Sequence, residues 1–210
     1  MGPLPPEITR DGALADLREI KKVFDHFGVR LFLAYGALLG IVREGNFIKH
    51  DDDIDLCIID PIDFETRKAI GNKLLDIGYT PQPISFRVFG RMEGSEPGYN
   101  GDAHSGIIVC QKRIRTTLFF FGQEDCPIHG SCHVCHPKLY SPRLIHTPSH
   151  FFDKPVEVKF KGDTYLAPSP IKEYLTYMYG KDWKTPIKGK HAPKWQEEHP
   201  DLPNTPNARI

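Results

Sequence analysis

An α+β domain is what this sequence predicts, from three observations. There is an amphipathic helical repeat near the N-terminus, a strand, helix and strand in succession behind it, and several short apolar strands ahead of a last helix. Leu14, Leu17, Ile20, Val23, Phe24 and Phe27 recur at helical spacing up to Gly28, which gives the first helix one apolar face. Residues 29–35 then read as a buried strand, 37–44 as a short helix opened by Gly36, and 53–59 as a second strand. A helix over 64–77 follows, closed by Gly78, with Ile70, Leu74, Leu75 and Ile77 as its apolar side. Strands are expected at 84–91, 106–111, 114–121 and 156–160, and the glycines, proline and asparagine of 92–104 make that stretch a loop. Ser169 caps a final helix with Pro170 at its first position, and Ile171, Tyr174, Leu175 and Met178 face inward until Gly180 ends it.

A length of 210 residues suits one domain over 1–210, with a Cys/His-rich loop at 122–150 and a Pro- and Lys-rich tail at 184–210. Lys and Arg number 27 and Asp and Glu 27, so no net field draws the chain to nucleic acid or to a membrane. Any phosphate binding must be local. No apolar run is long enough for a membrane segment and no signal peptide opens the chain, so it is expected to be soluble as given. The compartment stays open between the cytoplasm and a Golgi lumen reached by way of an anchor since removed.

Side chains alternate along a strand, so Asp53 and Asp55 share one face while Ile54 and Leu56 enter the core. Two carboxylates side by side repel unless a cation lies between them, and hard divalent ions such as Mg²⁺ or Mn²⁺ meet that need. Asp51 is in phase with the pair; Asp52 faces away. Gly36, at a strand-to-helix junction, leaves backbone N–H groups free to cradle phosphate oxygens, and Arg43 adds a fixed positive charge.

Cys126, Cys132 and Cys135 stand with His129 in a segment without apolar periodicity, and the Cys132 to Cys135 spacing matches a zinc knuckle. A structural Zn²⁺ held by these four is expected, with His136, His146 and His150 as other candidates for the imidazole. A reduced loop or a disulfide is the competing reading. Cys57 and Cys110 belong to the core. Tyr174 and Tyr177 are expected in the core as well, whereas Tyr179 and Trp183 could also stack a base or a sugar.

The run AYGALLGIVREGNFIKHDDDIDLCI resembles the signature of the LicD/fukutin family of the nucleotidyltransferase superfamily. Gly162, Pro168 and YLTYMYGKDWKTP continue the resemblance to Pro186. The resemblance implies a central mixed sheet with helices around it. It also implies a transferase that moves a phospho-alcohol, phosphocholine or ribitol phosphate, from a CDP-activated donor to a glycan hydroxyl. Position by position it makes Gly36 and Ala37 the phosphate-binding pair, Arg43 the basic residue, and Asp53 and Asp55 the metal ligands. Two departures stand out: Lys49-His50 replaces the usual Pro-Trp, and Thr117 replaces a third carboxylate. Glu157 is then the first candidate to complete the catalytic set, ahead of Asp102 and Asp125. Otherwise the chain is a catalytically impaired binding module. A nucleotide-sugar transferase is disfavoured, because about fifty residues before the acidic run are too few for its nucleotide-binding half.

Overall fold

A computed structural model of the chain describes residues 6–49, 51, 53–81, 106–126, 130–135 and 145–186. The expected strand at 84–91, the loop at 92–104, Asp102, His129, His136 and the tail beyond 186 lie outside the described residues. Helix α1 (Pro6–His26) buries Leu17, Ile20 and Phe24 completely, as its spacing predicts. Then come β1 (Phe32–Leu33), α2 (Tyr35–Glu44), β2 (Asp53–Ile58) and α3 (Phe64–Asp76). The strand expected at 29–35 shrinks to two residues because α2 begins early. Ala34 is its extended N-cap, and Tyr35 takes the left-handed region at φ 44°.

Asp63 caps α3 by accepting the Thr66 N–H at 2.7 Å. Leu75 does not join the apolar side as expected; it is 49% exposed. The buried stripe is instead Arg67, Ile70 and Leu74, with the Arg67 guanidinium 4.8 Å from the centre of the Phe120 ring. Counting apolar letters misses a stripe that runs through an arginine.

Next are β3 (Thr80–Pro81), β4 (Gly106–Gln111) and β5 (Arg115–Phe120), then β6 (Gly122–Cys126), β7 (Gly130–Cys135) and β8 (Ile145–Pro148). The chain continues with α4 (His150–Asp153), β9 (Val156–Phe160), β10 (Asp163–Ala167) and α5 (Ile171–Tyr179). Seven strands form one mixed sheet in the order β3-β4-β5-β2-β1-β10-β9, parallel at β2–β5 and β1–β10 and antiparallel elsewhere. The expected α+β fold, a mixed sheet with flanking helices, is what the chain adopts. The strand β10 has no counterpart in the sequence reading. Lys161 and Gly162, at φ 51° and 90°, close a two-residue turn that pairs it with β9.

The Cys/His segment is a second correction. Its described parts are not a loop but a three-stranded antiparallel sheet, β6-β7-β8. Pro170 precedes α5 as its N-cap rather than opening it, so Ser169 does not hold the capping position.

Helix α1 is tied to the β4–β5 turn by charge. Asp16, with no exposed surface, accepts the backbone N–H groups of Arg113 (3.0 Å) and Ile114 (2.9 Å) and the Arg113 guanidinium (2.7 Å). Beside it, Glu19 accepts from Arg113 (2.8 Å) and Lys112 (2.7 Å). The hydrogen bond from Arg113 is the main reason its carboxyl is held down to about 2. A depressed carboxylate stabilises the fold above its unfolded value, near 4.5, and loses that contribution as pH falls toward about 2. Thermal melts of wild type and Glu19→Gln should therefore differ at neutral pH and converge over that acid range. A gap unchanged on acidification would show that the charge plays no part.

Candidate active site

Strand β2 sits at the middle of the sheet with every side chain buried. Asp53 and Asp55, 8% and 4% exposed, are therefore unusual: carboxylates on a central strand, sharing one face while Ile54, Leu56 and Ile58 fill the other. The parallel neighbour β5 sets Arg115 opposite Asp53 and Thr117 opposite Asp55. Arg115 Nη2 donates to Asp53 Oδ2 at 2.7 Å, and Thr117 stands in register beside Asp55.

Burial, followed by the charges of Asp53 and Asp51, pushes the Asp55 carboxyl well above the usual carboxylate range. Arg115 and Thr117 pull it part of the way back. Asp51 thus belongs to the cluster. It also reaches the first turn of α2, where a Cβ built on Gly36 would lie 2.5 Å from Asp51 Oδ2. Gly36 is buried there together with Ala37, so the expected phosphate turn and the carboxylates do meet in space.

The roof over the carboxylates comes from α2 and α5. The Tyr35 ring packs on Phe119 at 5.1 Å, and the Tyr35 backbone N–H donates to the buried Tyr174 hydroxyl. Tyr174 is core, as expected, and also satisfies a first-turn donor of α2. Tyr177 packs on Phe151 at 5.7 Å. Tyr179 is different: burial and the charges of Asp55 and Asp51 raise its hydroxyl well above the normal range, with Arg43 opposing them. That places Tyr179 next to the site. Arg43 itself donates to the Trp183 carbonyl at 3.3 Å and to Glu44 at 2.7 Å, so it links α2 to the segment after α5. Trp183 is buried. A narrow recess beside Asp51 and Asp53 is also lined by Arg10, Phe47, Lys49 and Ile114.

Several expected residues lie elsewhere. Glu157 is exposed on the edge strand β9, three strands from β2, and the structure does not bring it to the carboxylates. At about 4.8 Å per strand the gap exceeds a glutamate's reach. Asp125 is exposed on β6. In the second sheet Cys126 pairs with Gly130, while Cys132 and Cys135 lie in strand β7 rather than in a knuckle turn. The cysteine side chains and His129 lie outside the described residues. Cys57 and Cys110 are buried, as expected. The sequence reading missed Arg115. The signal for Arg115 was the register of β5, which needs the neighbouring strand to be known.

By donor chemistry the acidic face fits a hard divalent ion, since Asp51, Asp53 and Asp55 offer it carboxylate oxygens. The side chains are not gathered into a ready cage. Among the described residues no group of three or more His, Cys, Asp or Glu is placed to hold a metal.

Residues 28–170 match the LicD/FKTN/FKRP nucleotidyltransferase domain. The chain is also similar to the ribitol-5-phosphate transferase FKTN of Macaca fascicularis, 27% identical over 184 residues, 85% of this chain and 34% of that protein. It thus spans about a third of that relative's length. Among the described residues no helix is long and apolar enough to cross a membrane. The matched span holds Gly36, Asp53, Asp55, Arg115 and Thr117, and the chain belongs to the LicD/FKTN/FKRP nucleotidyltransferase-domain family.

Proposed function

We propose that the chain is a metal-dependent transferase that moves a phospho-alcohol, of the phosphocholine or ribitol-phosphate type, from a CDP-activated donor to a glycan hydroxyl. The observation that carries this reading is the meeting of Asp51, Asp53 and Asp55 with the first turn of α2 at Gly36. Asp53 and Asp55 would hold Mg²⁺ or Mn²⁺, with Asp51 beside them. A divalent ion bound there supplies charge neutralisation to the donor diphosphate. The backbone N–H groups of Gly36 and Ala37 bind a donor phosphate, and the buried setting of β2 and α2 fixes their direction. In the transfer, the bond from the acceptor oxygen to the phosphorus of the alcohol forms as the bond to cytidine monophosphate breaks. The hydroxyl proton leaves to water.

Thr117 favours a second reading, a binding module that retains the site and lacks turnover, because it puts a hydroxyl where a proton-accepting carboxylate would stand opposite Asp55. One experiment tests both. Asp53→Asn and Asp55→Asn are each expected to abolish Mn²⁺-dependent binding of a cytidine diphosphate alcohol, measured by calorimetry. Binding indifferent to both changes and to EDTA would end the transferase reading. Release of cytidine monophosphate by wild type separates enzyme from module, and a gain on Thr117→Asp would mark a site that has lost part of its apparatus. A structural zinc at Cys126, His129, Cys132 and Cys135 is a separate proposal. Metal analysis decides it: about one ion per chain supports it, and none with titratable thiols ends it.

A further inference from the structure

Asp53 is a buried carboxylate whose side chain is 6% exposed, yet it pairs with a guanidinium whose side chain is 43% exposed. The acid is fixed in the sheet interior. The base reaches it from the rim, on a long side chain that enters from the neighbouring strand. The register is fixed too: Arg115 stands opposite Asp53 and Thr117 opposite Asp55, so one face of two adjacent strands carries two acids, one cation and one hydroxyl. Arg115 supplies the positive charge on this face.

We propose that Arg115 is the resident counter-ion of this face and competes with the divalent ion for Asp53. The inference rests on the transferase reading for the existence of the ion's site, but concerns a residue that reading does not use. The lone pairs that Asp53 Oδ2 turns to Arg115 Nη2 at 2.7 Å are those a metal would draw on, and a guanidinium at that distance repels an incoming dication. An ion bound at Asp53 Oδ2 therefore displaces the guanidinium. Its exposed position lets it swing out while the strand stays in place.

Mn²⁺ titration of the full chain, read by electron paramagnetic resonance of the free ion, tests this without any turnover. Arg115→Gln is expected to bind Mn²⁺ about tenfold more tightly than wild type, as removal of one nearby unit charge implies. Arg115→Lys keeps the charge and is expected to stay near wild type. Thermal melts of each variant confirm that the sheet is formed. Equal affinity in wild type and folded Arg115→Gln, or weaker affinity in Arg115→Gln, overturns the competition while the metal site survives. No Mn²⁺ binding in either protein, or binding that persists in Asp53→Asn and Asp55→Asn, overturns the site and the inference with it.

Discussion

Asp16→Ala is expected to lower the unfolding free energy by about 3–5 kcal/mol, the range for breaking a buried charged pair. Asp16 has no exposed surface and accepts two backbone N–H groups and one guanidinium, and alanine would leave all three donors without it. Asp16→Asn keeps one acceptor oxygen and should cost less. The effect should spread to the candidate site, since Arg113 and Ile114 lead directly into β5 and so set where Arg115 and Thr117 stand. Urea denaturation gives the stability, and Mn²⁺ titration of the folded fraction gives the coupling. A loss under about 1 kcal/mol would show that the donors find other partners.

Gly40→Ala is expected to be the more damaging of two glycine changes in α2. Alanine normally favours a helix interior by about 1 kcal/mol over glycine. Here a Cβ would lie 2.7 Å from the Asn46 carbonyl and 2.8 Å from the Ile48 N–H, both backbone, so the chain after α2 would have to move. A net loss of about 2 kcal/mol or more is the expected outcome of overpacking of this kind. Gly36→Ala meets only the Asp51 carboxylate, a side chain able to rotate, and should cost less stability while moving Asp51. Melting temperatures in the order wild type, Gly36→Ala, Gly40→Ala check this ranking; a Gly40→Ala protein as stable as wild type would refute it.

Much of the fold was legible because its period signals are local. The stripe of α1, the alternation of β2 around Ile54 and Leu56, and the runs of β4 and β9 lie where the spacing puts them. What was not legible depends on partners far along the chain. The strand β1 is only two residues long and lies between β2 and β10, and no local pattern encodes that pairing. The strand β10 pairs through a turn at Lys161 and Gly162 whose left-handed lysine carries no turn signature. At the site, Asp53, Asp55 and Gly36 could be read from strand alternation and a single glycine. Glu157 was misplaced because sheet order cannot be read from one strand. Arg115 was passed over because its neighbour in space lies sixty-two positions away.

The way β5 is held at both ends has a consequence for folding fidelity. Asp16 fixes the turn before it, and the Phe121 N–H donates to the Ile58 carbonyl just after it. Between these points, buried Thr116, Leu118 and Phe120 alternate with Arg115, Thr117 and Phe119. A slip by one residue would drive Arg115 into the apolar layer and set Leu118 beside the carboxylates, so neither face would tolerate it. The charge pattern that makes a site of β2 and β5 therefore also rejects the wrong pairing of these strands while the sheet is being built.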